Sequence, residues 1–557
     1  MKATKAKKIL ALLLALALCL SLFTACGGDN GSSSEGSKPA STTSTEESGG
    51  EEGGGAEEGD TGITFPLDEP VTLTAWNTPP SSNPALGIVT YNDIPVLQAW
   101  EEATNVHIEW DIPAAGQETE SFNLMITSGE YPDLINGIDQ RYVGGIDKAV
   151  EDGVIIAFND MMETYAPDYW KLINKDENLL RDCVTDGGNY AEVFMVNVPD
   201  QGPWYGMAVR QDWLDDCGLD TPVTYDDWYE MLKAFKEQKG ATAPLWLNCK
   251  ASDMFGVFAA GYGVGTLGLA AKAPFYQVDG TVKYGPYEEG YREYLTMLNK
   301  WYAEGLLDPD YYTRTTDTQV PSTLADTGAS GAWPDIYTLL EVHNMVSEDP
   351  NIDVVAVPAP VKNEGDQLHL RQYNFTRGNG GFSISTACEN PELALAWLNR
   401  GSQEDVSLSS YYGEEGVTYT MVDGKPQYTD LILKNPDGFS FSDALIKYTW
   451  RSPGIYQWDR ELQGVSEKAL DAINDIWPSN ADGDYVMPNV SLTNEEGNQF
   501  STIMGDLDTY VSEMTTKFIL GDEPLDNYDA FVETMKSMGV EDAIAIYQAA
   551  LDRWNAR

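Results

Sequence analysis

The sequence predicts an α/β fold, because short apolar strands alternate with amphipathic helices along most of its length. Hydrophobic residues make up 42% of the 557 residues and aromatic residues 11%, which is enough to build a sizeable core. The length alone would suggest several domains, although large single folds exist. The sequence has no evident internal repeat.

Three strands are predicted near the start of this alternating region. Val71–Trp76 is the first and Val106–Trp110 the second, with a helical stretch over Pro95–Ala103 between them. The turn Ser128–Asp133 leads into a third strand that begins at Leu134–Ile135. This order of strands and helices is typical of an α/β architecture.

Helix starts and helix faces mark further elements toward the C-terminus. Thr224 and Asp227 have the spacing of a capping box. The apolar residues that follow are spaced i, i+3, i+4 and i+7, as in a core-facing stripe: Trp228, Met231, Leu232 and Phe235. Asn390 is a predicted helix cap, with Pro391 at the first helical position. The last helix carries an apolar face made of Ile544, Tyr547, Leu551 and Trp554.

Residues 1–25 predict a signal peptide that ends at a lipidation site. Lysines precede the apolar run Ile9–Leu20, which is too short to be an ordinary membrane-spanning helix. The run Phe23–Gly27 then resembles the bacterial lipobox, in which the cysteine is acylated and becomes the mature N-terminus, although Phe23 stands where leucine is usual. Cys26 is therefore the predicted membrane anchor. A plain secretory peptide with a chance cysteine is the alternative.

Residues 26–63 consist almost entirely of Gly, Ser, Thr, Glu and Asp. Such a segment cannot bury enough apolar surface to offset the entropy lost on ordering. It predicts a flexible, self-repelling tether that holds a folded body away from the membrane. An interaction tail is the alternative, but that role would need anchoring residues, and none is present.

The charge balance argues against some classes of partner. The formal net charge is −54 at pH 7 and becomes more negative when the signal lysines are removed. Such a field opposes binding to nucleic acid and to anionic lipid, but it says little about a neutral ligand. The body cysteines form no CxxC pair, so they predict no zinc framework, and disulfides or free thiols fit equally well: Cys183, Cys217, Cys249 and Cys388.

No motif in the sequence predicts catalysis. A GxSxG elbow, a P-loop and a GxGxxG run followed by a suitable acidic residue are all missing from it. With 88 acidic residues, pairs of carboxylates will meet by chance, so no glycosidase pair can be assigned. We therefore predict a protein without catalytic residues or a cofactor.

Candidate metal ligands are equally sparse. None of the histidines has ligand-like spacing: His107, His343 and His369. Three residues have the spacing of positions one, three and five of a calcium loop: Asn480, Asp482 and Asp484. Tyr485 stands where that loop needs glycine, and Ser491 stands where it needs an acidic residue. No metal site is predicted from these residues.

Four stretches of the sequence together carry a family resemblance. The first is the turn Ser128–Asp133, and the second is Tyr205–Leu214 with the residues up to Thr224. The third is Ala394–Asn399, followed by residues 411–417. The fourth is Lys517–Gly521, with Tyr547, Gln548, Asp552 and Arg553. These stretches resemble extracellular solute-binding proteins of family 1, especially the large lipoproteins that serve sugar and oligosaccharide importers, and the resemblance extends over nearly all of residues 64–557.

The resemblance implies an α/β, two-lobed periplasmic-binding-protein-like fold of type II, with the lobes joined by three hinge crossings. The implied first lobe is residues 64–208 and 385–440, and the second lobe is residues 209–384 and 441–557. We expect the first crossing near Tyr205–Asp212. We expect the second within Arg371–Ser385, where Gly378, Gly380 and Gly381 permit unusual backbone angles.

The function that the resemblance implies is binding rather than chemistry. We expect a monomeric lipoprotein, anchored to the outer face of the membrane, that captures a carbohydrate, specifically an oligosaccharide, and delivers it to the permease of an ABC importer. A peptide or another small polar solute is the alternative ligand, because a fold does not fix its ligand. Two different classes of protein also have to be weighed, a surface enzyme that degrades polysaccharide and a static lectin.

A sugar offers apolar C–H faces and a rim of hydroxyl groups, so aromatic rings beside polar side chains are candidate contacts. Residues of this type lie in loop-like contexts or near the expected crossings: Trp76, Asn77, Asp139, Trp204, Tyr205, Trp333, Arg371, Arg377, Trp450 and Trp458. Trp76 could instead fill the core, and Trp450 and Trp458 could instead pack between the lobes. Trp213, Trp228 and Trp397 lie on helical faces and are expected in the core.

Overall fold

The computed structural model describes residues 63–197, 201–247, 256–265, 274–313, 327–370, 376–378 and 380–557. Cys26, Cys249 and Arg371 lie outside the described residues, as do the predicted signal peptide and almost all of the predicted tether. Within the described part of the chain, no helix has the length and apolar character needed to cross a bilayer.

The first sheet has four strands, β1 (Val71–Trp76), β2 (Val106–Asp111), β3 (Leu134–Asn136) and β9 (Phe382–Ile384). Their order in the sheet is β2-β1-β3-β9. The strand β1 is parallel to β2 and β3, whereas β9 is antiparallel to β3. All three strands predicted from the N-terminal pattern are confirmed. The fourth strand, β9, belongs to the same sheet, although its residues lie at the end of a range predicted for the second lobe.

The second sheet has three strands, β4 (Tyr205–Arg210), β7 (Ala332–Ile336) and β8 (Val354–Val357). Their order is β7-β4-β8, and β4 is antiparallel to both neighbours. The first crossing near Tyr205–Asp212 stays a prediction. These residues form the central strand and the start of the next helix, because the run from Gly206 to Arg210 is buried on both faces of the sheet.

Two hairpins lie outside these sheets, β5 (Phe275–Val278) with β6 (Thr281–Tyr284) and β10 (Tyr419–Val422) with β11 (Lys425–Tyr428). The helices before β5 are α1 (Pro95–Thr104), α2 (Glu118–Ser128), α3 (Ile138–Arg141), α4 (Gly145–Glu151), α5 (Met162–Tyr165), α6 (Pro167–Ile173), α7 (Glu177–Cys183), α8 (Gln211–Cys217), α9 (Tyr225–Lys239) and α10 (Gly256–Ala260). Those after β6 are α11 (Glu289–Ala303), α12 (Leu340–Val346), α13 (Pro391–Asn399), α14 (Glu404–Tyr412), α15 (Asp430–Leu433), α16 (Phe441–Tyr448), α17 (Trp458–Glu461), α18 (Glu467–Asp471), α19 (Asn494–Leu520), α20 (Tyr528–Ser537) and α21 (Val540–Ala556).

Each sheet is covered by its own hydrophobic cores. Successive side chains of a strand point to opposite faces, so Met207 and Val209 enter one core with the C-terminal helices, and Ala208 enters another. The first sheet is covered in the same way by a larger cluster that includes Leu73 and a smaller one that includes Ile135. The chain thus builds two separate bodies around two sheets.

The predicted helix signals are confirmed with one exception. Thr224 and Asp227 form the capping box, and the stripe that follows is almost fully buried: Trp228, Met231, Leu232 and Phe235. The last helix buries Leu551 and Trp554, whereas Ile544 and Tyr547 pack partly buried against the same core. Helix α13 begins after Asn390 with Pro391, but the Asn390 side chain makes no capping hydrogen bond.

The cysteines inside the described residues are free thiols, namely Cys183, Cys217 and Cys388. Cys183 is buried, whereas the other two are half-buried. Burial raises the pKa of the Cys183 thiol to about 12, so it stays protonated at physiological pH. This thiol acts as a small apolar core group.

The indole rings of Trp100, Trp397 and Trp450 form the centre of the first core. The Trp397 ring lies 5.2 Å from the Trp100 ring and 6.0 Å from the Trp450 ring, measured between centroids, and the Trp397 side chain is 1% exposed. We expect Trp397→Ala to lower the free energy of unfolding by about 3–5 kcal/mol, because it leaves a cavity between two other indoles. Urea denaturation of the two proteins measures this difference.

The matched control is Leu124→Ala, since the Leu124 side chain is 69% exposed. That change should cost about 0.5 kcal/mol or less. An equal loss in both variants would contradict the assignment of Trp397 to the centre of the core.

Candidate ligand site at the junction of the two sheets

Three chain segments meet in one hydrogen-bonded junction between the two sheets. Val196 donates its N–H to the carbonyl of Gly454 (2.9 Å) and accepts the N–H of Tyr456 (2.7 Å). On its other side, Met195 accepts the N–H of Gly378 at 2.7 Å. These segments link the body of the first sheet to the body of the second, so the junction has the three connections that a hinge of this kind requires.

The side of the junction that faces the first sheet carries a buried charge cluster. Arg377 donates from Nη1 to Oδ2 of Asp139 at 3.0 Å, and these side chains are 10% and 8% exposed. The Arg377 guanidinium also lies 3.8 Å from the ring centroid of Phe194. Its Nε donates to the carbonyl of Asp182 at 2.7 Å. Two residues predicted as ligand contacts, Asp139 and Arg377, are therefore brought together as an ion pair.

Glu192 completes this cluster as a buried carboxyl group. It is 1% exposed, and its Oε2 accepts the N–H of Asp139 at 3.1 Å. Burial raises the pKa of Glu192 well above its usual range, and the negative charge of Asp139 raises it further, against the opposing effect of Arg377. The cluster therefore combines the ion pair of Arg377 and Asp139 with a carboxyl group whose protonated form is favoured by burial.

The side of the junction that faces the second sheet is aromatic. The rings of Trp204 and Trp458 are stacked, with centroids 6.2 Å apart and planes 9° from parallel. The ring of Tyr337 meets Trp458 edge-on at 6.4 Å. Trp204 is half-buried and Trp458 is 7% exposed. Tyr205, half-buried at the start of β4, follows Trp204 in the chain, so three of the predicted contact residues lie together here.

Polar residues in the same chain segment as Trp458 have unused hydrogen-bonding capacity. Arg460 is 2% exposed, and its Nε and Nη1 atoms make no hydrogen bond, while Nη2 lies 3.2 Å from Oε1 of Glu461. The buried Oη of Tyr456 also makes no hydrogen bond. Arg451 is exposed, and its Nη1 lies 3.8 Å from the same Glu461 oxygen. Buried donors of this kind are costly unless a partner arrives to satisfy them.

The other predicted aromatic contacts are enclosed by protein. Trp76 is 0% exposed between the Phe122 ring at 5.3 Å and the Arg141 guanidinium at 5.6 Å. Trp333 is also 0% exposed, and its Nε1 donates to Asp335 at 3.1 Å.

Two further predicted contacts are also taken up within the protein. Trp450 is 6% exposed in the first core. Asn77 is 5% exposed, and its Oδ1 accepts the N–H of Thr78 at 2.8 Å. The structure therefore does not bring these two residues, Trp76 or Trp333 to the junction, and Arg371 lies outside the described residues.

Sequence reasoning missed Glu192 and Arg460, which are central to the junction. Glu192 stands between Ala191 and Val193 in a run that is otherwise apolar or aromatic, and a single acid in such a run was a usable signal. Arg460 lies between two acidic residues in the short helix α17, which reads as an ordinary solvated turn. Its burial comes from tertiary packing alone.

A second contact joins the two bodies at their edge. Arg553 donates from Nε to Oδ2 of Asp186 at 2.7 Å, and Arg557 donates from Nη2 to Oδ1 of the same carboxylate at 2.6 Å. Both arginines lie at the C-terminal end of the chain, at the edge of the second body, whereas Asp186 follows helix α7 in the first body. Trp554 adds a hydrogen bond from Nε1 to Asp182 at 2.8 Å.

A family model for bacterial extracellular solute-binding proteins matches residues 93–399, which is more than half of the chain. The chain belongs to this family. The match runs from the end of the first loop of the first body, through the whole second sheet, to the end of helix α13. The two bodies are accordingly the two lobes of a solute-binding protein.

The fructooligosaccharide ABC transporter substrate-binding protein FusA of Streptococcus pneumoniae serotype 4 is 23% identical, over 97% of both chains. The polygalacturonan/rhamnogalacturonan-binding protein YtcQ of Bacillus subtilis strain 168 is 23% identical over 80% of this chain and 85% of its own. Among solved structures, an HMO-binding solute-binding protein from Bifidobacterium longum infantis superposes with a TM-score of 0.69 at 17% identity, over 88% of this chain and 99% of its own. That structure supports the two-lobed fold.

Because the folded state keeps Glu192 protonated, the stability of the protein should depend on this group. Above the unfolded pKa of about 4.3, folding must take up a proton, so stability falls as pH rises from there toward the raised pKa of the folded state. Glu192→Gln keeps an oxygen that can accept the N–H of Asp139 but removes the titration. We expect the variant to be more stable than the parent at neutral pH and similar to it below pH about 4.

Thermal midpoints measured from acidic to neutral pH check this expectation. Glu513→Gln is the matched control, since Glu513 pairs with Lys517 on an exposed helix surface at 2.6 Å. If Glu192→Gln is instead less stable at neutral pH, the carboxyl group is ionised and paired with Arg377.

Proposed function

We propose that this chain is the substrate-binding lipoprotein of an ABC importer, and that it captures an oligosaccharide between its lobes at the junction. The observation that carries the proposal is the stacked pair Trp204 and Trp458, together with the buried, partly unpaired guanidinium of Arg460, two residues after Trp458 in the same helix. The carbohydrate ligands named for FusA and YtcQ support the same ligand class.

The chemistry of the junction suits a sugar. An indole face packs against the C–H face of a pyranose or furanose ring, and Trp204 is the more exposed ring of the pair. The unused donors of Arg460 and the Oη of Tyr456 match hydroxyl oxygens, which accept hydrogen bonds. The proposed site does not include Trp76 and Trp450, which pack in the cores of the first lobe, or Trp333, whose Nε1 donates to Asp335.

The proposed lobes follow the bounds that the resemblance implies, residues 64–208 with 385–440 and residues 209–384 with 441–557, with two adjustments from strand pairing. Residues 205–208 go to the second lobe, because they pair within the second sheet. Residues 382–384 go to the first lobe, because they pair with β3. Ligand binding closes the lobes through small changes at the junction, and the contact of Asp186 with Arg553 and Arg557 forms on closure. Binding without chemical change is the proposed role, and no residue acts as a catalyst.

The proposed location is the outer face of the cell membrane. Acyl chains on Cys26 anchor the protein, and the acidic segment that follows keeps the lobes clear of the lipid surface. A monomer delivers the ligand, because a single pair of lobes holds the whole junction. The permease that receives the ligand is a separate protein.

Trp204→Ala should weaken binding of the preferred oligosaccharide by about tenfold or more, because truncation of a central aromatic contact costs more than about 1 kcal/mol. The ligand is found first by a thermal-shift screen of mono- and oligosaccharides against the full chain, with di- and tripeptides alongside. Isothermal titration calorimetry then compares the variants. Trp110→Ala is the matched control, since Trp110 is a half-buried indole that packs on Tyr91 at 4.7 Å, in the first lobe.

A saturable shift with one glycan class and no product formed would support the proposal. Shifts with peptides alone would replace carbohydrate by peptide as the ligand. Formation of shorter glycans would identify an enzyme instead. Equal affinity of Trp204→Ala and the parent protein would remove the stacked pair from the site.

Asp186→Asn tests the closing contact. The change removes the charge that Arg553 and Arg557 share, so we expect a ligand-free protein with a larger radius of gyration and weaker glycan binding. Small-angle X-ray scattering measures the radius of gyration, with Glu513→Gln as the control for loss of one surface carboxylate. An unchanged radius with unchanged affinity would show that the edge contact does not take part in closure.

A further inference from the structure

The loop that resembles part of a calcium loop in sequence is held against a distant segment of the second lobe. Leu368 donates its N–H to the carbonyl of Asn480 at 2.9 Å, and its own carbonyl accepts the N–H of Asp482 at 2.8 Å. The carbonyl of His369 accepts the N–H of Tyr485 at 2.9 Å. These backbone hydrogen bonds fix the position of His369 relative to the loop.

Three metal-ligating side chains converge at this place. The Nδ1 of His369 lies 2.9 Å from Oδ1 and 3.1 Å from Oδ2 of Asp482. One ligand atom from each of His369, Asp482 and Asp484 lies within 4.8 Å of the other two. The His369 and Asp482 side chains are 32% and 37% exposed, and Asp484 is exposed, so an ion could reach them from solution.

The spacing of these atoms suits one small ion after a slight inward movement. A zinc ion binds nitrogen and carboxylate oxygen at about 2.0–2.2 Å, so two ligand atoms of one ion lie at most about 4.4 Å apart. The N–H of Asp484 donates to Oδ1 of Asp482 at 3.1 Å, and this hydrogen bond holds the two aspartates close together in the loop. Without an ion, His369 and Asp482 are hydrogen-bonded directly to each other, and an ion would have to enter between them.

The same loop contains a polar atom without a partner. The Oδ1 of Asn480 is buried and makes no hydrogen bond, whereas its Nδ2 donates to the carbonyl of Ala359 at 2.9 Å. An amide oxygen in this state is costly, and a cation or a metal-bound water would satisfy it. This observation is independent of the His369 cluster.

The kind of ion follows from the kind of ligands. Calcium takes six to eight oxygen ligands, and this loop lacks the glycine and the final acidic residue of a calcium loop, at Tyr485 and Ser491. His369 instead offers an imidazole nitrogen, which is not the oxygen ligand that calcium prefers. One nitrogen with carboxylate oxygens is a typical donor set for zinc and neighbouring transition metals.

We propose that His369, Asp482 and Asp484 bind a divalent transition-metal ion such as zinc. Within the part of the chain that the structure describes, this is the one group of three such side chains with the necessary spacing. His107 pairs with the single carboxylate of Glu101 at 3.0 Å, and His343 is fully buried against Asp335. Neither histidine offers the same arrangement.

The ion would join two segments that are far apart in sequence. His369 and Asp482 are 113 residues apart, and the segment after His369 leads into the range predicted for the second crossing. A metal bond here fixes the entry to that crossing on the second lobe, and it stabilises the folded state because the unfolded chain has no preformed site. The effect is separate from ligand capture at the junction.

Because the chain has only three histidines, nuclear magnetic resonance of labelled histidine side chains tests the proposal directly. The full chain is stripped with a chelator and titrated with zinc or, separately, with calcium. One equivalent of zinc should shift the His369 signal and leave the His107 and His343 signals in place. Calcium should leave all three unchanged.

Calorimetric titration with zinc then compares His369→Gln, Asp482→Asn and Asp484→Asn, each expected to weaken binding by about tenfold or more. Asp484 is exposed, so its amide variant keeps the fold, and unchanged His107 and His343 signals verify this in each case. Glu101→Gln, which removes the carboxylate beside His107, should bind zinc like the parent protein. The proposal fails if zinc leaves the His369 signal unmoved, if the aspartate variants keep full affinity, or if calcium produces the same shift.

Discussion

The backbone hydrogen bonds of Val196 are the constraint on which the rest of the structure depends. This residue is bonded to the segment at Gly454 and Tyr456, and its neighbours Met195 and Asn197 are bonded to the segment at residues 376–378. Buried backbone polar groups must stay paired, so the three segments can only move in concert. A hinge made of main-chain bonds can bend through small dihedral changes while the two lobes stay rigid.

The charge cluster beside this hinge pairs a buried positive charge with a negative one. Arg377 brings one positive charge into a buried place, and Asp139 supplies the one negative charge that compensates it. Burial is the main reason that the pKa of Glu192 is raised, and the negative charge of Asp139 raises it further. Folding therefore favours the protonated form of this carboxyl group beside the ion pair.

Local patterns predicted the elements, but they could not predict tertiary partners. The strand Val71–Trp76 and the capping box at Thr224 depend on neighbouring residues, so the sequence contains all the information needed for them. The family motif at Tyr205 predicts a crossing nearby, but most of the motif forms the central strand of the second sheet. An uninterrupted apolar run such as Met207–Val209 is typical of a central strand, and that signal was available.

In the candidate site, too, the sequence indicated single residues but not the residues they pack against. Asp139 is a candidate because it follows the third strand, and Arg377 because it lies on the expected second crossing. However, 238 residues separate them, and nothing local indicates that they pair with each other. Tryptophan is ambiguous for a related reason. The same large ring fills a core or covers a sugar, so only packing distinguishes the enclosed Trp333 from the half-buried Trp204.

The edge contact of Asp186 with Arg553 and Arg557 holds the two lobes together, whereas the hinge has to let them separate again. The Asp186 side chain is 14% exposed and is shared by Arg553, which is 29% exposed, and Arg557, which is 3% exposed. The contact is therefore intermediate between an exposed ion pair, which contributes about 1 kcal/mol or less, and a buried pair, which is costly to break. Since a ligand shifts an equilibrium only by its different affinity for the two states, a nearly balanced empty protein responds most strongly to it. Under the proposed function, an edge contact that water can still reach on one side allows the lobes to open again once the ligand has left.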